Sequence, residues 1–170
     1  ASGTHSIGTI VRRLVDGARS NPAGEAGGRT LLLQFWYPAH EQARGQLAPY
    51  LPDPGLSRAM LEQPYFDQPA DVIAAMARLR SGAIQNAQPL AREDGWPVIL
   101  LSHGLGMSRV NYTAFAQDWA SHGYVVVAID HPDGGFNVSP DGELRLSAGD
   151  PALGEAERSV GLAGNWAEDS

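Results

Sequence analysis

The chain has 170 residues, of which 43% are hydrophobic and 18% charged, a composition typical of one globular domain. Its formal net charge of −7 disfavours contact with phosphate backbones, so we expect no nucleic-acid partner. The absence of cysteine excludes disulfides, thiolate catalysis and zinc–thiolate sites. No apolar run approaches the roughly 18 residues of a membrane span, so we expect no transmembrane segment. The compartment stays open, with a secreted or periplasmic location favoured over a cytoplasmic one.

The N-terminal half predicts two strands and one short helix. Residues 5–15 and 30–37 are rich in β-branched, leucine and aromatic residues and are bounded by turn formers, which indicates a pair of strands joined by a loop. Residues 38–69 hold six of the twelve prolines, which predicts a surface excursion with short turns. Near-helical apolar spacing then predicts a helix over 72–80, with Asp71 as its N-cap.

The clearest organisation begins after Trp96. Residues 97–101 (PVILL) form a continuous apolar run, which predicts a strand buried on both faces of a parallel sheet. A glycine-bearing turn and a helical pattern over 110–121, ended by Gly123, lead to a second apolar strand over 124–129. Strand, helix and strand within about 35 residues indicate a βαβ unit with parallel strands.

The patterns weaken after this unit. Residues 136–154 are rich in turn formers, with a short hairpin expected around 143–146. Residues 155–170 predict the beginning of a helix, although Gly161 and Gly164 disfavour it.

The string VILLSHGLG at residues 98–106 is the strongest chemical feature. A buried strand that runs into His-Gly-x-Gly places backbone N–H groups at the carboxyl edge of a parallel sheet, where ligands bind in open α/β folds. Such a loop can donate N–H groups to the oxyanion of a tetrahedral intermediate. There are two alternatives: an ordinary glycine-rich turn with no catalytic role, and a phosphate-binding loop. The second is disfavoured because neither G-x-x-x-x-G-K-[ST] nor G-x-G-x-x-G is present.

The wider context of this loop resembles a known family. Residues 97–135 hold Ser-His-Gly-Leu-Gly, an aromatic-containing helix, Ser-His-Gly-Tyr, a second strand and Asp-His-Pro-Asp-Gly. Together with Gly8-Thr9, Asp16, Arg19, Arg29 and the run from Gln34 to Pro38, this pattern is similar to the plasma-type platelet-activating-factor acetylhydrolases and their bacterial relatives. The resemblance implies an α/β fold. Residues 1–170 would form the N-terminal portion of a single α/β-hydrolase domain, mostly a parallel sheet with an N-terminal antiparallel hairpin.

The resemblance also implies roles for the residues of the loop. Leu105 is similar to the residue whose backbone N–H forms half of the oxyanion hole, and Gly104, Gly106 and Met107 are expected to contact the substrate. His103 resembles the residue that packs behind the loop and shapes it, which makes it structural and not the catalytic base.

Asp130 and His131 end the second strand of the βαβ unit. We expect them to support the neighbouring loops through hydrogen bonds. The alternative, that they are two members of a catalytic triad, conflicts with the order of the hydrolase triad along the chain, which is serine, acid, histidine.

One element of the family pattern is missing, because residues 1–170 contain no G-x-S-x-G nucleophile elbow. We therefore expect the serine, acid and histidine downstream or on a second chain, and no activity from residues 1–170 alone. The strand that carries the serine would pair with the 97–101 strand. Without that neighbour, strand N–H and C=O groups built for burial lack partners, so the isolated chain is expected to behave poorly.

For the whole enzyme, the resemblance implies hydrolysis of a carboxylic ester, with a short or oxidised acyl chain on a phospholipid or polyester. No metal or organic cofactor is implied. Two alternatives stay open: a dienelactone-hydrolase-like or peptidase relative, and a non-catalytic binding module that keeps the hydrolase half-fold.

The remaining conspicuous side chains are interpreted as packing residues. Trp36 and Tyr37 are expected in the core, and Trp96, Trp119 and Trp166 as packing anchors. The histidines outside the motif show no metal-ligand spacing.

Overall fold

The computed structural model describes residues 1–21, 27–53, 69–104, 107–134, 136–138, 144–146 and 163–170. The strands are β1 (Ser6–Asp16), β2 (Arg29–Ala39), β3 (Leu47–Pro49), β4 (Arg80–Gln85), β5 (Val98–Ser102), β6 (Val125–Asp130), β7 (Phe136–Val138) and β8 (Leu144–Leu146). The helices are α1 (Ala70–Arg78), a 3₁₀ turn (Arg109–Tyr112) that leads into α2 (Thr113–Ser121), and α3 (163–169).

Six strands form one sheet in the order β3-β4-β1-β2-β6-β5. The predicted hairpin is confirmed, since β1 and β2 pair antiparallel from Ser6 with Ala39 to Asp16 with Arg29. The predicted βαβ unit is confirmed too: β5 and β6 are adjacent and parallel, and α2 connects them. The class is α/β, but the sheet is mixed and less parallel than expected. The pairs β2–β6 and β3–β4 are also antiparallel, and β1–β4 is parallel.

The core lies between the sheet and α2. Trp36 is fully buried and packs with Val126 and Ala128 of β6, while α2 presents the small side chains Ala116 and Ala120 to them. Small residues let the helix approach the sheet closely. The expectation of a packing anchor at Trp119 is wrong, because its indole lies on the outer face of α2, 37% exposed.

Gly123 ends α2, as the sequence predicts. It has a φ of +94°, a left-handed conformation that glycine adopts without strain, and its N–H donates to the carbonyl of Ala120 at 3.1 Å.

Strand β5 lies at the edge of the sheet, and the expectation that both its faces are buried is wrong. Leu101 packs in the core, but Val98 and Leu100 on the opposite face are 61% and 53% exposed. In the part of the chain that the structure describes, β5 pairs with β6 alone, and the side chains that alternate away from α2 face solvent.

Several smaller expectations are settled by the structure. Helix α1 begins at Ala70 with Pro69 as its N-cap, so Asp71 lies in the first turn and is not the cap. Within the proline-rich stretch, Leu47–Pro49 forms a strand, and 54–68 lie outside the described residues. The hairpin expected around 143–146 is present as β7 and β8. The helix expected over 155–170 is present at 163–169, and the preceding part lies outside the described residues.

Candidate active site

The candidate site lies where β5 and β6 end side by side. Ser102, the last residue of β5, is followed by His103 and Gly104, and His131 directly follows β6. Leu105 and Gly106, the centre of the expected oxyanion loop, lie outside the described residues.

His103 is buried beneath the loop and is hydrogen-bonded through both ring nitrogens. Its Nε2 accepts the backbone N–H of His131 at 3.2 Å. The proton must then lie on Nδ1, which donates to the carbonyl of Gly104 at 2.9 Å. Burial lowers the pKa of His103, which favours this neutral tautomer. The ring is therefore occupied on both sides, and these contacts fit a structural residue better than a catalytic base.

The carbonyl of Gly104 accepts a second hydrogen bond. The backbone N–H of Met107 donates to it at 3.1 Å, from the other side of the loop centre. One carbonyl thus joins the two described ends of the loop, and Met107 itself is 43% exposed at the surface of the site.

A second hydrogen-bond chain passes through the side chain of His131. The ring is fully buried, its Nε2 lies 2.7 Å from Oγ of Ser102, and its Nδ1 lies 2.7 Å from Oδ2 of Asp169. Trp166 stacks on the ring, with centroids 4.7 Å apart and planes 10° from parallel. Ser102, His131 and Asp169 therefore have the connectivity of a Ser-His-Asp array. No motif in the sequence predicts this arrangement.

Asp169 and Asp133 share a buried arginine. The Arg29 guanidinium donates Nε to Asp169 Oδ1 at 2.7 Å and Nη2 to Asp169 Oδ2 at 2.6 Å. It also donates Nη2 to Asp133 Oδ1 at 2.9 Å. Burial alone would raise the pKa of Asp169, but the hydrogen bonds from Arg29 and His131 hold it well below its usual range. Both carboxylates therefore carry charge and act only as acceptors.

Helix α3 contributes more than Asp169 to this network. Asn165 Nδ2 and Trp166 Nε1 donate to the Asp133 carboxylate at 2.9 and 3.1 Å. Arg19 Nη2 lies 2.8 Å from Asp169 Oδ1. Polar contacts and one stacked ring thus dock the helix onto the residues after β6.

Asp130 is held by a different arginine. The backbone N–H of Arg109 donates to Asp130 Oδ1 at 2.6 Å, and its guanidinium pairs with Oδ2. Arg109 Nη2 also donates to Asp53 Oδ2 at 2.6 Å. Burial by itself would lower the pKa of Arg109, but the two carboxylates outweigh it and raise the pKa. Asp130 therefore supports the segment that follows the loop, and its carboxylate is not part of the Ser102–His131–Asp169 array.

The sequence matches a known family along most of its length. The model of platelet-activating factor acetylhydrolase, isoform II, matches residues 2–139. The chain belongs to this acetylhydrolase family. It is 50% identical to a platelet-activating factor acetylhydrolase of Canis lupus familiaris over 51 aligned residues. The aligned region covers 30% of this chain and 12% of that protein. It is 51% identical to a platelet-activating factor acetylhydrolase of Bos taurus over 39 aligned residues, a region that covers 23% of this chain and 9% of that protein.

A solved structure supports the fold of this acetylhydrolase family member. A ferulic acid esterase from Streptomyces cinnamoneus is 31% identical and superposes with a TM-score of 0.73 over 99% of this chain. The aligned part is 47% of the esterase, so the chain spans about half the length of that structure.

Several N-terminal residues on which the family resemblance rests make identifiable contacts in the fold. Gly8 lies under the ring of Tyr37, where any Cβ would overlap the ring. Gln34 donates from Nε2 to Thr9 Oγ1 at 3.2 Å across β1 and β2. Arg29, the first residue of β2, reaches the site itself through Asp133 and Asp169.

The structure brings together His103, Gly104, Met107 and His131 from the expected site residues, with Asp130 on the adjacent side. Sequence reasoning missed Ser102, Arg109, Asp133 and Asp169 as members of the networks. Ser102 and Asp133 stand inside the motif, but Asp169 is 38 residues from His131, with no motif of its own. Among the described residues, no cluster of three or more acidic or histidine side chains could hold a metal, and no helix could span a membrane.

Proposed function

We propose that the complete protein hydrolyses carboxylic esters through an acyl-serine intermediate, and that residues 1–170 supply half of its oxyanion hole. Membership of the acetylhydrolase family and the likeness to an esterase fold support the reaction class. The serine, the acid and the histidine of the triad would come from the remaining hydrolase segment, either downstream or on a second chain. No metal or organic cofactor is part of the proposal.

The hydrogen bonding of the Gly104 carbonyl is the observation that carries the proposal. His103 and Met107 both donate to this carbonyl. A trans peptide group is planar, and its N–H points opposite to its C=O. Since the carbonyl is bound by the protein, the N–H of the same peptide group, which belongs to Leu105, is proposed to face the substrate. A backbone donor held in this way is preorganised for a developing negative charge.

The mechanism follows from the proposed donor. A serine attacks the ester carbonyl, a histidine takes the serine proton and later donates it to the leaving alcohol, and an acid orients that histidine. The Leu105 N–H and the N–H after the serine hold the oxyanion. Gly104, Gly106 and Met107 would border the acyl group, which we propose to be short or oxidised and attached to a phospholipid or polyester alcohol.

Substitutions at Leu105 test the proposal in the complete enzyme. Leu105→Pro removes the N–H and should lower kcat for a p-nitrophenyl ester about 10²–10³-fold, the range for one lost oxyanion donor. Leu105→Ala keeps the N–H and should cost far less. Because proline also restricts Gly104, the melting temperature has to be measured for both variants.

Two outcomes would contradict the proposal. If both variants fold and lose activity equally, or if neither loses activity, the Leu105 N–H is not an oxyanion donor. A complete protein that binds esters without turnover would instead indicate a binding module. Residues 1–170 alone serve as the negative control and should not exceed the rate of a denatured sample.

A further inference from the structure

We infer that His131 is a positioning residue for the loop after β5, and that Asp169 of helix α3 acts on the loop through it. Two separate hydrogen bonds carry this inference, one from the backbone of His131 and one from its ring. It rests on the proposed function, because the loop matters for catalysis only if Leu105 is an oxyanion donor.

The backbone of His131 fixes the ring of His103. Its N–H donates to His103 Nε2 at 3.2 Å, which leaves Nδ1 of His103 as the protonated nitrogen that binds the Gly104 carbonyl. If the N–H of His131 moved away, the other tautomer of His103 would become available, and that tautomer has no proton for Gly104.

The side chain of His131 fixes the other end of the same segment. Asp169 is a charged carboxylate, bound by Arg29, so it can only accept a hydrogen bond from His131 Nδ1. The ring Nε2 lies 2.7 Å from Oγ of Ser102, and in the neutral Nδ1–H tautomer this nitrogen carries the lone pair that accepts the Ser102 hydroxyl proton. Thus His131 contacts Ser102 through its ring. Its backbone N–H holds His103, which in turn binds the Gly104 carbonyl.

The same three side chains could be taken for a nucleophilic triad, and two observations disfavour that assignment. Ser102 lies in regular parallel pairing opposite Ile129, and not on the sharp strand-to-helix turn that exposes a nucleophile. The His131 ring is fully buried and covered by Trp166, so an imidazolium formed there could not deliver its proton to a leaving alcohol without rearrangement. The array is built to hold the strand end.

A double-mutant cycle in the complete enzyme tests the inference. Ser102→Ala and Asp169→Asn should each lower kcat about tenfold with KM nearly unchanged, because a misaligned donor weakens transition-state binding more than substrate binding. Since both act through His131, the double variant should lose little more than either single one. Asp71→Asn is the matched control, because it makes the same chemical change at an exposed residue in the first turn of α1, and it should leave kcat within about twofold.

A spectroscopic measurement keeps the inference testable without turnover. The ring ¹⁵N shifts of His103 and His131 should report a proton on Nδ1 in both, and Asp169→Asn should change those of His131. If Asp169→Asn fails to fold, Ser102→Ala and the wild-type shifts carry the test. Fully additive kinetic losses, an unchanged kcat in the single variants, or Nε2-protonated rings would overturn the inference.

The failure of the inference can be distinguished from failure of the proposed function. A wild-type complete enzyme without esterase activity contradicts the function, whatever the ring shifts show. If the wild type is active and the kcat losses of the two single variants add up in the double variant, only the positioning role is contradicted. If a fluorophosphonate probe labels Ser102 in the active enzyme, Ser102 is a nucleophile and the positioning role is wrong.

Discussion

Buried charged side chains hold neighbouring segments of this chain together. Arg109 is 1% exposed and contacts Asp130 and Asp53, which lie on different segments. Each ion loses its hydration on burial, and only the partner charges and hydrogen bonds offset that cost. The arginine therefore fixes the turn between the loop and α2, while Arg29 fixes the opposite side of the site.

A substitution that removes one partner from the buried cluster should be far more damaging than loss of a surface charge. Arg109→Leu leaves the Asp130 and Asp53 carboxylates without their cation, and we expect a loss of about 3–5 kcal/mol in the free energy of unfolding. Arg44→Leu is the control, because Arg44 is exposed and should cost less than about 0.5 kcal/mol. Urea unfolding of both variants gives the comparison. Similar losses for the two would mean that the Arg109 cluster contributes no more than a surface charge.

At the scale of elements, regular apolar patterns made the sheet and α2 predictable. The pattern of polar side chains predicted few of the other elements. The runs PVILL and YVVVAI indicate β5 and β6 because a strand period and turn formers are local properties. Within residues 1–170 one face of β5 is exposed, because an apolar run predicts a buried strand but does not reveal which segment covers it. Trp119 was misplaced because Ala116 and Ala120, not the aromatic residues, face the sheet.

The site was predictable in part for the same reason. The motif predicts that His103, Gly104 and His131 lie together, and the structure places them in contact at the ends of β5 and β6. Asp169 was not predicted as a site residue, because its contact with His131 depends on how α3 docks, and docking is a property of tertiary structure. The helix pattern over 155–170 is weak, and no residue in it marks the carboxylate as a partner of Arg29 or His131.

The docking of α3 can be tested at a glycine. A Cβ added to Gly134 would overlap the Trp166 ring, which stacks on His131. Gly134→Ala should therefore displace α3 and cost about 1–3 kcal/mol, as overpacking does. Gly164→Ala is the control in the same helix: nothing lies within 4 Å of its added Cβ, and it should stabilise α3 by about 0.5–1 kcal/mol. Thermal unfolding followed by tryptophan fluorescence measures both. Equal melting temperatures for the two variants would contradict this docking.

At the scale of the whole molecule, the sheet is asymmetric. Its β3 edge is three residues long, whereas β5 at the other edge is five residues long and mostly apolar. Val98 and Leu100 are exposed on this strand, and among the described residues its outer edge has no strand partner, a combination that promotes pairing with another strand. We propose that the strand bearing the serine occupies this position in the complete protein.

Residues 1–170 expressed alone should consequently self-associate through β5. Leu100→Lys places a charge on the exposed face of the edge strand and should shift the polypeptide toward monomer in analytical ultracentrifugation. Leu14→Lys is the matched control, because Leu14 is 50% exposed, close to the 53% of Leu100, but lies in β1, opposite Leu31 of β2. It should leave the association largely in place. In the complete enzyme Leu100→Lys should instead destabilise the fold, since the charge would be buried against the added hydrolase segment. If both lysine variants dissociate the chain equally, general surface hydrophobicity drives association and the edge of β5 is not the surface involved.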